Sequence, residues 1–541
     1  MCDNHKHNRK GRSLDNKEEH QKDHNQWSRR DFLVKSGLLG AGFSMAMNNH
    51  VFSSPQPSEL LNALNSSDSE KILVLLRFDG GNDGLNTIIP RGNNFYYNNR
   101  QIIGIGEDEL IPVDADNGFH PNMAPLMNQW NDGVMAAIHN VSYPSPSQSH
   151  FRGQDIWASA SDSDQVVESG IFGRYFETVL PSFIDAPPVI PAALQIGLRS
   201  DTLFQASESS RSLSIVDPNQ FYSIAQQGQL YSTVGLGACT RDLEKAFLRQ
   251  TANSSFFYAD SIQRAYEAAQ PLTPAINYPT DNLGKSLNIV GQMIKGKLGT
   301  KVYLVRLGGF DTHSNQIARH GGIMASFGNA VNAFMEDMKQ YNESENVLLM
   351  TYSEFGRTWN ENASEGTDHG IGGPMFLFGE GIGGGFHGSQ PDLTDLGPND
   401  DPDYENDFRN VYASVLKNWL CIDPTLVDYT MGNSFDPMPG LIPTCNYEES
   451  ANNRASLMGH KIRLTAPNII EFHYAIKYRS KVQLQLLNKQ GQVLFNFVDE
   501  VKDGGAYVYS FNTNDFNLPS GKYHYRLNSA GESYNRRIEI I

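Results

Sequence analysis

The chain has 541 residues, a formal net charge of -17 and a pI of about 5.3. It is longer than one ordinary domain of about 100–200 residues, and 39% hydrophobic with 19% charged residues is a globular composition. The acidic balance argues against a nucleic-acid-binding protein, which usually presents a basic face. The cysteines are too few for a disulfide scaffold and form no CxxC pair for a thiolate zinc site; they are Cys2, Cys239, Cys421 and Cys445. The sequence leaves open a bond between Cys421 and Cys445.

Residues 1–50 have the pattern of an export signal. Arg29 and Arg30 follow a polar segment and precede a weakly apolar stretch, residues 31–47, that is too short to span a membrane stably. Such a pattern resembles a twin-arginine signal, which addresses a folded protein to the Tat translocase. The alternative is a chance Arg-Arg pair before a buried helix. With residues 51–70 as a linker, we predict a protein exported to the periplasm, the cell surface or the medium, with no transmembrane span in the mature chain.

Residues 71–450 alternate short apolar runs with helical patterns. The apolar runs lie at 71–78, 133–140, 301–307, 344–357 and 373–379. Residues 324–338 place Met, Phe and Val side chains at steps of three and four, which predicts a helix with one core-facing stripe. Apolar strands that alternate with helices predict an α/β fold with a mostly parallel sheet.

Polar residues follow several of these predicted strands, where an open α/β sheet binds its ligands. They are Asp79 and Asp83, then Asp311 and His313, then Ser353, Glu354 and Arg357, and, before the last strand, Asp368 and His369. Carboxylates mixed with imidazoles suit Zn, Mn or Mg better than a soft metal. Two such ions would clamp a phosphoryl or sulfuryl group.

Each of these motifs also has a simpler interpretation. An isolated Asp-x-His is more often a capped loop, and Glu354 beside Arg357 is also the pattern of a salt bridge. Glu354 is a candidate metal ligand, and Arg357 is a candidate catalytic residue that would bind a tetrahedral oxyanion. The alternative is that both residues lie behind the metal ligands and orient them. Ser149, which follows a Pro/Ser turn, is either a helix N-cap or an activated hydroxyl at the positive end of a helix.

Several motifs occur in a fixed order: "GGNDGLNTIIP", "SHFRGQDIW", "LGGFDTHSNQ", "YSEFGRT", "GTDHG" and "DFRNVYASVLKNWL". Over residues 28–435 this order resembles domain-of-unknown-function family 1501, whose members look like the alkaline phosphatase and sulfatase superfamily. The resemblance implies an alkaline-phosphatase-like α/β/α sandwich and a site of one or two divalent metals. It also implies a Ser, Thr or modified Cys nucleophile at a helix N-terminus.

Matched motif by motif, the resemblance implies a role for each candidate. Asp83 corresponds to the first-strand aspartate and Ser149 to the nucleophile region. Asp311 and His313 correspond to a metal pair, and His369 to a later metal histidine.

The chain also departs from the superfamily pattern. The usual Asp-x-x-x-His is Asp-x-His here, and Ser353-Glu354 stands where an Asp-His pair is expected. No Cys-x-Pro-x-Arg lies near Ser149. A complete two-metal set therefore cannot be traced.

Residues 460–541 change to the two-residue periodicity of β-strands. "KVQLQLLN" (481–488) and "GKYHYRLN" (521–528) alternate apolar with polar residues, and "NKQG" and "KDGG" are turn signals. We predict a small Ig-like β-sandwich. "LLNKQGQVL" and "NLPSGKYHYRL" resemble a type A sorting domain, which directs cargo to the type IX secretion machinery. The alternative is a structural or glycan-binding module.

These patterns support three hypotheses. The first is an exported metal-dependent hydrolase of phosphate or sulfate esters, acting on a small ester or glycan substrate. The second is a non-catalytic surface or scaffold protein on a degenerate phosphatase-like fold. The third is a glycan-binding protein whose β-sandwich carries the binding face.

The paired arginines give a direct test of export. We expect the change of Arg29 and Arg30 to Lys together to stop export, because a twin-arginine signal is recognised by its arginines. Cell fractionation with an antibody against the chain measures the outcome. Unchanged export of the double variant would refute the signal.

Overall fold

The computed structural model describes residues 71–180, 190–207, 209–227, 258–269, 275–396, 401–445 and, with short gaps, 457–540. The predicted signal (1–50) and linker (51–70) lie outside the described residues. The chain divides into two compact units, of which the first includes residues 71–175 and 191–443 and the second includes residues 444–541.

The strands up to residue 443 are β1 (Ile72–Asp79), β2 (Ile88–Pro90), β3 (Ile111–Pro112), β4 (Asn117–Phe119), β5 (Met135–Ser142), β6 (Ala193–Ile196), β7 (Ser212–Ile215), β8 (Val302–Gly308), β9 (Val347–Ser353), β10 (Gly373–Phe378), β11 (Gly385–His387) and β12 (Asn406–Asp407). The α-helices are α1 (Asn94–Asn99), α2 (Met127–Asn131), α3 (His150–Ser159), α4 (Ile171–Val179), α5 (Pro218–Gln227), α6 (Asn282–Lys295), α7 (Gln316–Gln340), α8 (Phe408–Ala413) and α9 (Pro424–Met431). Residues 258–268 are also helical.

One large sheet organises the first unit, in the order β11-β5-β10-β9-β1-β8-β6-β7, with β12 beside β5. Strand β10 is antiparallel to β5 and to β9, and the other pairs are parallel. This confirms the predicted α/β fold with a mostly parallel sheet. Because β10 runs the other way, the segment before it reaches the edge where the other strands end.

Helices cover both faces of this sheet. In β1, Phe78 packs on Phe327 of α7, while the neighbouring Arg77 points to the opposite face. On that opposite face, Tyr352 of β9 contacts Trp157 of α3 and Tyr412 of α8. A strand covered on both sides must be apolar throughout, and β1 is buried from residue 72 to residue 78. The predicted apolar stripe of α7 is buried as expected: Met324, Phe327, Val331, Phe334 and Met338.

Within residues 457–540 of the second unit, the described residues form β-strands and a short 3-10 turn. The strands are β13 (Leu457–Ala466), β14 (Ile469–Ile476), β15 (Ser480–Leu487), β16 (Val493–Lys502), β17 (Gly505–Asn512), β18 (Gly521–Ser529) and β19 (Glu532–Ile540). They form antiparallel sheets of order β13-β14-β17 and β16-β15-β18-β19. The side chains predicted to share one face are buried in one core: Val482, Leu484, Leu486, Tyr523, Tyr525 and Leu527.

In the part of the chain that the structure describes, no helix is long and apolar enough to cross a membrane. Cys421 and Cys445 are both disulfide-bonded.

The alternation in β15 predicts unequal costs for adjacent substitutions. We expect Leu484→Ala to lower the free energy of unfolding by about 2–5 kcal/mol, because it leaves a cavity in the core. Gln485→Ala, on the other face of the same strand, is the matched control and should cost under about 0.5 kcal/mol. Urea denaturation followed by circular dichroism measures both; equal effects would contradict the register of β15.

Candidate metal centre

The candidate site lies where the loops of several strands meet. Asp311 follows β8, Glu354 and Arg357 follow β9, and His369 precedes the reversed strand β10. His150 is the first residue of α3. The carboxyl edge of the sheet thus gathers acidic, basic and imidazole side chains from segments far apart in sequence.

The carboxylate of Asp311 is the common neighbour of three imidazoles. Its Oδ1 lies 3.0 Å from Nε2 of His313 and 3.3 Å from Nε2 of His369. Its Oδ2 lies 3.6 Å from Nε2 of His150. The Nε2 atoms of His313 and His369 are 3.0 Å apart. Every one of these rings therefore presents the same nitrogen to the same carboxylate.

The other nitrogen of each ring faces an acceptor. Nδ1 of His150 lies 2.5 Å from Oε2 of Glu354, and Nδ1 of His313 lies 2.9 Å from Oδ1 of Asp368. Nδ1 of His369 lies 2.7 Å from the carbonyl oxygen of Gln148. Because a carboxylate or a carbonyl only accepts, each Nδ1 carries the proton and donates it. A neutral ring then has its lone pair on Nε2, where it points toward Asp311.

This arrangement is that of metal-ligating histidines, whose second nitrogen donates to a carboxylate or a carbonyl. The ligand atoms of His150, Asp311 and His369 all lie within 4.8 Å of one another. Two neutral Nε2 lone pairs 3.0 Å apart repel each other, and a cation between them removes that repulsion. Imidazole nitrogens with one carboxylate suit zinc in particular. The residues present therefore fit a divalent metal ion.

The protonation states also suit a metal ion. Burial raises the pKa of Asp311, but the hydrogen bond and the positive charge of Arg357 outweigh it, so this pKa lies below its usual range. Burial lowers the pKa of His369 and outweighs the hydrogen bond to Gln148. At neutral pH the carboxylate is ionised and the imidazole of His369 is neutral, as metal binding requires.

Arg357 corrects one prediction, because its guanidinium is not available to an oxyanion. The side chain is 0% exposed. Its Nε donates to the carbonyl of Gly81 at 3.0 Å and its Nη1 to that of Thr367 at 3.1 Å. Its Nη2 donates to Asp311 Oδ1 at 2.6 Å and to the carbonyl of Gly80. Arg357 therefore orients Asp311 and ties three loops together.

Glu354 has the orienting position behind the ligands and not the position of a metal ligand. It is 2% exposed, and its Oε2 accepts from Nδ1 of His150 while its Oε1 accepts from Nε2 of Gln154 at 2.6 Å. With both oxygens engaged, Glu354 orients His150 from behind.

Asp83 lies apart from the imidazole cluster. It is 1% exposed, and its Oδ2 accepts from Nη1 of Arg100 at 2.7 Å and from Nε2 of Gln316. Its Oδ1 accepts from the backbone amides of Leu85 and Asn86. A carboxylate with these partners has no free oxygen for an ion, so the expected ligand role does not agree with its environment.

Ser149 lies at the N-terminus of α3, and its role as a nucleophile stays a prediction. It is exposed and immediately precedes α3. Its side chain makes no capping hydrogen bond to the helix. Its chain neighbours are Gln148, which accepts from His369, and His150. Ser149 is therefore held next to the cluster.

The sequence patterns gave His150 no role in the site, and they placed Asp368 beside His369 in the loop before β10 without a role of its own. His150 was visible only as the residue after Ser149, and Asp368 only as the neighbour of His369. The signal that would have found His150 is its place in the first turn of a helix, beside a candidate nucleophile. Its partner Glu354 lies 204 residues away, so the pair itself has no local sequence pattern.

A mostly parallel α/β fold with a histidine-carboxylate cluster at its carboxyl edge is the class that these observations define. A family model described as "Protein of unknown function (DUF1501)" matches residues 292–435. This segment contains β8, α7, β9 and β10, and with them Asp311, His313 and His369. Among curated proteins, none matches the sequence.

Similar solved structures include sulfatases and alkaline phosphatases. A sulfatase from Pseudoalteromonas sp. is 11% identical with a TM-score of 0.30, over 87% of this chain and 90% of that one. An alkaline phosphatase superfamily protein from Vibrio parahaemolyticus is 10% identical with a TM-score of 0.30, over 80% and 78%. An alkaline phosphatase from the Antarctic bacterium TAB5 is 10% identical with a TM-score of 0.26, over 58% and 92%. At these values the similarity assigns no residue and no substrate.

Each nitrogen of the Arg357 guanidinium donates a hydrogen bond within the protein. We therefore expect even a substitution that keeps the positive charge to lower the free energy of unfolding strongly. Arg357→Lys offers fewer donors in a different geometry, and we expect a loss of about 1–3 kcal/mol for each buried carbonyl left without its donor. Arg91→Lys, at an exposed pair with Glu107, is the control and should cost under about 0.5 kcal/mol. Urea denaturation measures both.

The pH dependence of the same experiment has a definite sign. Asp311 has a lowered pKa in the folded protein, so its contribution is present above the unfolded carboxyl pKa of about 3.9. That contribution is lost as pH falls through the lower folded pKa. Arg357→Lys should shrink this part of the pH dependence, and an unchanged profile with unchanged stability would show that Arg357 does not hold the loops.

Proposed function

We propose that the chain is an exported, metal-dependent hydrolase of phosphate or sulfate esters. The observation that carries the proposal is the convergence of three Nε2 atoms on Asp311, each with its Nδ1 fixed by an acceptor. A purely structural cluster would not need the same tautomer in every ring.

The residues that would hold the ion are His150, Asp311 and His369, with His313 as an adjacent further donor. A bound divalent ion would supply Lewis-acid polarisation of a phosphoryl or sulfuryl oxygen. The side chains of His150, His369 and Asp311 are 32%, 22% and 46% exposed, so an ester in solution can reach them. Zn, Mn and Mg are the candidate metals.

Ser149 is the residue we propose as the nucleophile. Its hydroxyl is exposed and makes no capping bond, so attack on an ester would not break an existing contact of that kind. It also lies at the N-terminus of α3, where the partial positive charge of the helix favours an approaching anionic group. Because Arg357 is saturated by the protein, this helix end and the ion are the groups that would meet the negative charge of the substrate.

We propose export through the Tat translocase on the basis of Arg29 and Arg30. The disulfide-bonded Cys421 and Cys445 support an oxidising compartment, since disulfides are rare in the cytosol. Delivery by the type IX secretion machinery is the corresponding proposal for residues 460–541, and it depends on the motif resemblance alone.

The β-sandwich itself offers less support for the glycan-binding alternative. The aromatic side chains that the structure describes in this unit lie in or against the core, among them Phe472, Phe511 and Tyr525. Among the described residues of this unit, the large hydrophobic side chains that are exposed are aliphatic: Val493, Leu494, Val501 and Val508. Glycan binding usually uses exposed aromatic rings, so a sugar ester would more naturally be bound at the metal centre.

The metal content decides between the hydrolase and the scaffold hypotheses. We expect elemental analysis of the purified protein to find a stoichiometric divalent ion, and a panel of phosphate and sulfate esters to reveal activity. Asp311→Asn should weaken metal binding and activity by more than the roughly 10–100-fold typical of a residue outside the ligand set. Asp132→Asn, at an exposed pair with Lys339, is the control.

The same ion should be lost at acid pH. Protons compete with the metal for the Nε2 atoms, so the affinity should be level near neutral pH and fall at acid pH. Because the pKa of His369 is lowered, its part of this loss should begin below the free imidazole pKa of about 6.5. A protein without bound metal, in which Asp311→Asn changes nothing measurable, would establish the scaffold hypothesis instead.

A further inference from the structure

The buried side-chain amide of Gln316 bonds to the two loops that carry candidate metal ligands. Gln316 is the first residue of α7, and its side chain is fully buried. Its Oε1 accepts from Oγ1 of Thr312 at 3.0 Å and from Oγ1 of Thr367 at 2.7 Å. Its Nε2 donates to Oδ2 of Asp83. One side chain thus bonds to three separate segments of the chain.

The direction of each bond is fixed by chemistry. Burial raises the pKa of Asp83, but the charge and hydrogen bond of Arg100 outweigh it and the pKa is lowered, so the carboxylate is ionised. An ionised carboxylate only accepts, so Nε2 of Gln316 must face it and Oε1 must face the threonines. Both threonine hydroxyls then donate to the same oxygen.

The two threonines belong to the loops that carry the candidate ligands. Thr312 lies between Asp311 and His313, and Thr367 lies two residues before His369. The same loops also share a backbone bond, from the Thr367 amide to the Thr312 carbonyl at 3.2 Å. Thr312 and Thr367 are both fully buried, so water does not compete for their hydroxyls.

We propose that Gln316 is a positioning residue for the metal centre. Anchored by the Asp83–Arg100 pair, it fixes the separation of the two loops and thereby the distance between Asp311 and His369. This inference rests on the proposed metal site. It also gives Asp83 a role: the aspartate that sequence comparison would make a ligand instead supports the ligands through Gln316.

The contacts distinguish this role from simple core packing. Oε1 of Gln316 is the shared acceptor of both loops, so its loss frees both hydroxyls at once. Replacement by Met keeps the length of the side chain but removes all three hydrogen bonds. Each threonine can be changed separately to Val, which keeps the shape and removes one bond.

The test is a zinc titration of the full-length protein and its variants, in competition with a chelator of known affinity. Metal-free melting temperatures are measured in parallel. The variants are Gln316→Met and, in case that protein does not fold, Thr367→Val, which leaves the bond between Gln316 and Asp83 intact. Thr87→Val is the matched control, because its buried hydroxyl bonds Asn82 and the Asp83 carbonyl but touches neither ligand loop.

We expect Gln316→Met to weaken zinc binding by about 10–100-fold, as for residues that orient metal ligands, and Thr367→Val to weaken it by a smaller factor. Thr87→Val should leave zinc affinity unchanged even if it lowers the metal-free melting temperature. Lower melting temperatures with unchanged zinc affinity in both Gln316→Met and Thr367→Val would overturn the positioning role. If the unaltered protein binds none of zinc, manganese and magnesium, the metal centre itself fails and this inference falls with it.

Discussion

The site depends on the hydrogen bonds of one buried guanidinium. Arg357 donates to the carbonyls of Gly80 and Gly81 after β1, to Thr367 before β10, and to Asp311 after β8. Buried carbonyls need donors, and in these glycine-rich turns Arg357 supplies them. The same side chain holds Asp311 in place and keeps it ionised. Loop structure and carboxylate geometry therefore have a common cause.

The orientation of each imidazole is determined by the acceptor of its Nδ1 hydrogen bond and not by Asp311, which its Nε2 faces. Glu354, Asp368 and the Gln148 carbonyl each accept a hydrogen bond from one Nδ1, and the tautomer follows from these bonds. Because each acceptor comes from a different segment, the direction of the Nε2 lone pairs depends on several loops being correctly placed. Gln316 and Arg357 both bond to the loops that carry Asp311 and Asp368.

The charged and titratable groups of the site fall into two sets. One set is buried and contacts only the protein, and the other is exposed enough for a substrate to reach. The buried and paired groups shape the site from within the protein; they are Arg100, Arg357, Asp83 and Glu354. The half-exposed groups are Asp311 and the histidines. A site built in this way would meet an anionic substrate with a metal ion and a helix N-terminus, whereas the sequence suggested an arginine.

The sequence by itself determined the parts that depend on local periodicity. Continuous apolar runs identified the buried strands, steps of three and four identified the stripe of α7, and alternation identified the β15 and β18 faces. The place of Asp311, His313 and His369 at strand ends followed from the same patterns. Only the tertiary structure decided the direction of β10, which brings His369 to Asp311, and the partners of Asp83, Glu354 and Arg357. Those partners lie up to 277 residues apart in the sequence. A buried charged group bonds to the donors or acceptors that the fold places next to it, so its partners leave no local pattern in the chain.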